Sequence, residues 1–151
     1  MRIVAQRVSS SRVSVGGEVK GEISGGLCIL VGVADGDTEK DAKIVAGKIA
    51  RLRIFAAPGD ETEKMDKSLL DIGGEALVIS QFTLYADCRK GRRPSFSEAA
   101  PPERGKKIYE TFIECLEALG VKTARGVFGA AMKVEIINEG PVTITLDSGE
   151  M

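Results

Sequence analysis

The segment Gly26-Leu-Cys-Ile-Leu-Val-Gly-Val has no polar side chain, and it limits the possible folds more than any other stretch. A strand with one wet face alternates apolar and polar residues, whereas a continuous apolar run must be covered on both faces. The longest such run, Leu27 to Ala34, is far too short to span a bilayer and contains a glycine. A buried strand of this kind needs a sheet around it, and 151 residues suffice to build one core in one domain, 1–151.

The flanking segments supply the rest of the sheet. In residues 2–9, Ile3, Ala5 and Arg7 alternate with Val4, Gln6 and Val8, a strand period. Gly16-Gly17 between two β-rich runs predicts a hairpin, and the serines at 9–11 predict a bulge or bend in its first strand. Thr38, with Asp41 three residues on, predicts a helix start, and Ala42, Val45, Ile49 and Leu52 recur at helical spacing behind it. Residues 57–68 read as a polar surface loop, and residues 76–84 as another strand leading into a basic loop at 87–100. Pro101-Pro102 open a second helix with the stripe Ile108, Phe112, Cys115, Leu116 and Leu119, closed by Gly120. Met132, Val134 and Ile136, then Val142, Ile144 and Leu146, predict two more strands around Asn138-Glu-Gly-Pro. The expected fold is α+β: a strand-rich mixed sheet curled toward a barrel and covered by two main helices.

Composition removes whole classes of chemistry. There is no histidine, which excludes Ser-His-Asp and Cys-His triads, His-ligated zinc and imidazole bases. Cys28, Cys88 and Cys115 form no CxxC pair, and reduced thiols without a signal peptide point to the cytoplasm. Asp35-Gly-Asp lacks the later ligands of a calcium loop and reads as helix capping. No metal, cofactor or membrane partner is expected.

Three segments can carry function. Ser80-Gln81-Phe82-Thr83 follows an apolar run. Its hydroxyls either cap a strand end or, with free backbone amides, face an oxyanion in acyl transfer. Gly140-Pro141 is either a simple turn or a cis peptide presenting bare main chain. Between 89 and 107 lie seven basic and two acidic residues, net +5, leaving −6 for the remainder. Such a run is either a solvated face or a grip on a polyanion. Phe128 to Met132 either pack a strand or sandwich a base.

Together, Ser80-Gln-Phe-Thr-Leu, Lys90-Gly-Arg-Arg-Pro-Ser-Phe, Asn138-Glu-Gly-Pro-Val-Thr and the opening Met1-Arg-Ile-Val-Ala-Gln-Arg-Val resemble the D-aminoacyl-tRNA deacylase family of bacteria and eukaryotes. The resemblance spans essentially the whole chain. It implies a deacylase-like single domain that forms a homodimer with active sites at the interface. It also implies hydrolysis of the ester between a D-amino acid, or glycine mischarged on tRNA(Ala), and the 3′-terminal adenosine of tRNA, with no DNA partner. Carried over, Ser80, Gln81, Phe82 and Thr83 form the catalytic pocket. Gly140-Pro141, in cis form and lent by the other subunit, is the chiral filter, braced by Arg7, and Phe128 and Met132 flank the adenine. The expected mechanism is attack by water, with amides around Phe82 and Thr83 holding the oxyanion. The proton acceptor is either Thr83, which could position the water, or, as we favour, the ribose 2′-hydroxyl. The rival readings are a non-catalytic tRNA 3′-end-binding module, an esterase of small acyl esters and a structural dimerisation domain.

Overall fold

In the computed structural model, which describes every residue except Glu63, the segment 26–32 is the strand on which the fold is built. Strand β1 (Arg2–Val15) turns back through Gly16-Gly17 into β2 (Glu18–Ile23), and β3 (Gly26–Gly32) follows at once. Helix α1 (Glu39–Arg51) leads to β4 (Glu75–Ser80), and α2 (Pro102–Ala118) to β5 (Lys122–Arg125). Strand β6 (Lys133–Asp147) closes the chain.

The sheet runs β2-β1-β3-β4-β5, with β6 on the other edge of β1. All β1 pairings are antiparallel, whereas β3, β4 and β5 run parallel to one another. The sheet curls until β2 meets β5: a Cβ on Gly21 would lie 2.8 Å from the Arg125 carbonyl oxygen. This is the expected α+β fold, a mixed sheet nearly closed into a barrel with two covering helices.

The two-sided burial of β3 has a direct cause. Leu27, Ile29 and Val31 pack toward α1 and α2, with Ala76 and Val78 of β4 beside them. Cys28 points the other way, with Leu77, Ile79, Val8 and Val13, into the barrel interior. Each fully buried aliphatic side chain stabilises such a core by about 1.5–3 kcal/mol. Helix α1 contributes Ala42, Val45, Ala46 and Ile49, and its start is the expected box, with the Thr38 amide donating to Asp41 Oδ2 at 2.9 Å. Helix α2 buries Ile108, Phe112 and Leu116 as expected, adds Gly105, Tyr109 and Ile113, and ends before Gly120 at φ +92°. Cys115 is half-buried, Cys28 buried and Cys88 exposed.

Three expectations change. The strand expected over 76–84 stops at Ser80, and Phe82–Tyr85 form a 3-10 turn. Strand β5 carries no alternating apolar signal in Lys-Thr-Ala-Arg; its parallel pairing with β4 makes it a strand. The two strands expected around Gly140-Pro141 are one. β6 pairs with β1 from Asp147 to Thr143 and resumes at Asn138, so residues 139–142 stand out opposite the single residue Arg7. The pairing also slips between Val8 and Ser10, where the serine run predicts a bend. The loop expected at 57–68 contains only the isolated Phe55–Lys67 bridge among its described residues; Glu63 lies outside them. No helix among the described residues is long and apolar enough to cross a membrane.

Candidate active site

Strand β4 carries the chain out of the core, and Ser80 is its first half-exposed residue after four buried ones. One further bond, from the Gln81 amide to the Val31 carbonyl at 2.7 Å, holds this exit against β3. The turn Phe82–Tyr85 then folds over Gly32. A Cβ there would stand 3.0 Å from Leu84 Cβ and 3.1 Å from the Gln81 carbonyl oxygen, so any side chain at this position would make the turn give by a few tenths of an ångström. Bonding within the turn includes the Leu84 amide on the Gln81 carbonyl and the Ala86 amide on the Thr83 carbonyl. The Phe82 and Thr83 amides precede the first of these donors and are the open donors of a helical start. The Gln81 carboxamide donates to Thr83 Oγ1, which fixes both side chains on the turn.

Beside this turn lies a cavity of about 700 Å3. Ser80, Gln81 and Phe82 form one wall, and Phe128, Met132 and Tyr109 face it. Phe82 is 57% exposed and meets Phe96 edge-on, 5.0 Å between ring centres, at the rim. Phe128 leans on Tyr109 at 5.8 Å, and the Tyr109 hydroxyl donates to the Val78 carbonyl at 2.8 Å. Met132 fits over Gly126, where a Cβ would come within 2.5 Å of its sulfur. No Asp, Glu, Lys or Arg lines the cavity among the described residues. Its one titratable group, Tyr109, is pushed by burial up to about 12. The cavity thus offers aromatic faces, the hydroxyls of Ser80 and Ser97, a carboxamide and main-chain donors, but among the described residues no side chain that is a base near neutral pH.

The second constellation is the 139–142 loop. The Gly140-Pro141 peptide is cis, both residues are exposed, and Gly140 sits at φ +124°. Beneath it Arg7 is only 8% exposed, donating from Nε to the Glu139 carbonyl at 3.1 Å and from Nη1 to the Ile54 carbonyl at 2.9 Å. A Cβ on Gly140 would lie 2.8 Å from Arg7 Nη2. Asn138 ties the neck of the loop by accepting from the Val142 amide at 3.1 Å.

Loop and cavity occupy opposite ends of β3. Arg7 pairs with Leu27, and Ser80 with Val31, four residues along the strand. At the usual rise that is roughly 13 Å, before the separation across the sheet is added.

The model of the D-Tyr-tRNA(Tyr) deacylase family matches residues 4–147. The chain belongs to this family. Among curated relatives, the D-aminoacyl-tRNA deacylase of Roseiflexus castenholzii is 58% identical over 98% of this chain and 92% of its own length. That of a Geobacillus species is 55% identical, covering 99% and 97%. A solved structure named c-Myc DNA Unwinding Element Binding Protein superposes with TM-score 0.88 at 40% identity, covering 97% of this chain and 98% of its own. A probable eukaryotic D-amino acid tRNA deacylase shares the fold at TM-score 0.82 and 18% identity, covering 96% and 97%.

In this deacylase-family chain, the residues singled out from the sequence fall into two groups. Ser80, Gln81, Phe82, Phe128 and Met132 share one cavity, with Thr83 on the exposed side of the same turn. Arg7, Gly140 and Pro141 form the other group and do not line that cavity. Phe96, Tyr109 and Asn138 were not singled out as site residues. Phe96 and Asn138 sit inside two of the four segments that resemble the family, which is the signal that could have found them. Tyr109 is one more position on the buried face of α2 and gives none.

Proposed function

We propose that this chain, a deacylase by family, hydrolyses the ester joining a D-amino acid to the 3′-terminal adenosine of tRNA. The observation that carries this reading is the uncharged, aromatic-walled cavity whose rim is a turn with two open main-chain amides. The adenine stacks between Phe128 and Met132, which brings the ester to Ser80–Thr83. Water attacks the carbonyl carbon, and the Phe82 and Thr83 amides hold the oxyanion, an effect worth roughly 100- to 1000-fold per donor. The tetrahedral intermediate then breaks its bond to the ribose 3′ oxygen, which leaves with a proton, releasing free D-amino acid and tRNA. Since no cavity side chain is a base near neutral pH, the neighbouring 2′-hydroxyl assists the proton transfer, and Thr83 positions the water. The reaction calls for no metal or cofactor.

Chirality is judged by main chain. The exposed Gly140-Pro141 loop enters the cavity of a second copy in a homodimer, because its own cavity is at the far end of the strands. Its backbone stands where an L side chain would project and leaves the D side chain facing solvent; glycyl esters pass as well. Such exclusion tolerates many side chains, which an apolar pocket matched to one of them would not. The dimer would also cover Ile137 beside the loop and Phe82 at the rim, each 57% exposed. The protein would act in the cytoplasm, where aminoacyl-tRNA is made.

The test compares D-tyrosyl-tRNA with L-tyrosyl-tRNA. Rapid release from the D ester and none from the L ester is expected. Equal rates refute chiral selection, and binding without release leaves only the tRNA 3′-end-binding module.

A further inference from the structure

The basic stretch 89–107 divides into two parts that the sequence does not separate. On α2 and its approach, the cations are neutralised: Arg104 by Asp35 at 3.7 Å, Lys106 by Glu110 at 3.8 Å and Lys107 by Glu39 at 2.8 Å. Arg104 also donates to the Asp37 carbonyl at 3.0 Å. Arg104 and Lys107 fasten α2 to the segment 35–39, whereas the Lys106–Glu110 pair lies along the helix itself.

The other part is a lobe. The Asp87 and Ser95 amides donate reciprocally to each other's carbonyls, at 2.8 and 3.0 Å, closing its base. Arg89 forks onto the Asp87 carboxylate at 2.9 and 2.8 Å, which locks one side and holds that carboxyl below its ordinary range. Gly91, at φ +68°, turns the tip. Lys90, Arg92 and Arg93 are exposed and, among the described residues, have no carboxylate within ion-pair distance. No acidic residue lies between 88 and 97. Directly after the base, Phe96 and Ser97 line the cavity, and Phe96 touches Phe82 at its rim. Three free cations therefore stand on a stiffened projection beside the opening through which any polymer attached to a bound nucleoside must leave.

We propose that Lys90, Arg92 and Arg93 bind the ribose-phosphate backbone of tRNA upstream of its terminal adenosine, while Arg104, Lys106 and Lys107 take no part in substrate binding. This rests on the deacylase reading of the cavity and adds a second, purely electrostatic contact. Phosphate contacts fix position without reading bases. The lobe thus accounts for capture of tRNA as a class, and the cavity for the reaction at its end.

The test uses the full chain with Arg92→Ala and Arg93→Ala together, against a Lys106→Ala, Lys107→Ala control, on two substrates. These are D-tyrosyl-tRNA and 3′-D-tyrosyl-adenosine, which has no upstream phosphate. On tRNA the lobe variant should raise KM about tenfold with kcat unchanged. Its plot of log kcat/KM against log salt should flatten by about 1.4–1.8, two contacts at 0.7–0.9 each. On the adenosine ester it should match wild type, and the control should match on both. Unchanged tRNA kinetics, an equal loss on both esters, or an equal effect of the control overturns the proposal. If wild type cleaved neither ester, the catalytic reading would fall. Binding of uncharged tRNA would then decide the lobe: a tenfold weaker Kd in the Arg92, Arg93 variant upholds it, and no change refutes it.

Discussion

Replacing Arg7 with lysine isolates what the brace beneath the 139–142 loop does. The guanidinium reaches two carbonyls on different parts of the chain, Ile54 and Glu139, from Nη1 and Nε. An ammonium keeps the charge but is a point donor without the fork. It can retain the buried bond to the Ile54 carbonyl while giving up the part-buried one to Glu139. The loss is one charge-assisted hydrogen bond at the low end of its range, about 1.5 kcal/mol. For a chain of this size that lowers Tm by about 3–6 °C, readable by thermal denaturation. The same bond fixes the height of the loop above β1. If the loop excludes L side chains sterically, losing about 1.5 kcal/mol of bracing should raise hydrolysis of L-tyrosyl-tRNA roughly tenfold. The assay is release of tyrosine from D- and L-tyrosyl-tRNA at a temperature well below either Tm. A Tm drop of the stated size with an unchanged ratio of L to D rates would refute the reasoning, since Arg7 would then hold the fold and not the filter.

Three further perturbations probe the cavity. Phe128→Ala removes one face of the proposed adenine sandwich, and stacking of about 1–3 kcal/mol per base predicts KM roughly 5- to 150-fold higher with kcat little changed, by steady-state kinetics. Gly32→Ala pushes a methyl against Leu84 Cβ and the Gln81 carbonyl, so the turn must shift. Kinetics should show a loss in kcat exceeding any in KM, with circular dichroism preserved. Burial raises Tyr109 from 10.0 to about 12 and raises Tyr85 as well, so both stay protonated in the folded state above their unfolded pKa. The stability from Tyr109 is complete below pH 10 and is lost as pH climbs toward 12, where its two-unit shift amounts to about 2–3 kcal/mol. Tyr109→Phe should therefore lessen the fall in Tm across that window, leaving the share due to Tyr85.

The parts of the fold readable from sequence are those whose cause is local. The unbroken β3 run, the Thr38–Asp41 box and the glycine after α2 each carry their own signal, and each appears where expected. The corrections arise where the cause lies elsewhere in the chain. The turn at Phe82 depends on the missing Cβ of Gly32, fifty positions earlier, and nothing in Phe-Thr-Leu-Tyr announces it. β5 is a strand because β4 offers it an edge. β6 stays continuous through Gly140-Pro141 because β1 pairs with both its halves. Likewise, the site motifs were legible as residue types, but their division into a cavity and a separate loop was implied by the family resemblance alone and not by the residue pattern. Periodicity assigns faces, whereas the position along β3 that separates Arg7 from Ser80 comes from strand register.

The Gly140-Pro141 tip of the 139–142 loop offers the outside world only peptide groups, a glycine and a proline ring, with Glu139 the one exposed charged side chain beside it and Arg7 and Asn138 folded inward beneath. Truncating side chains one at a time across the surface would pass over it almost without a trace, because there is hardly anything there to truncate. Its importance would surface only in variants of residues that themselves meet no ligand, Arg7 and Asn138. If that loop is the filter proposed above, a mutational map of this protein would locate its most consequential surface at the wrong addresses.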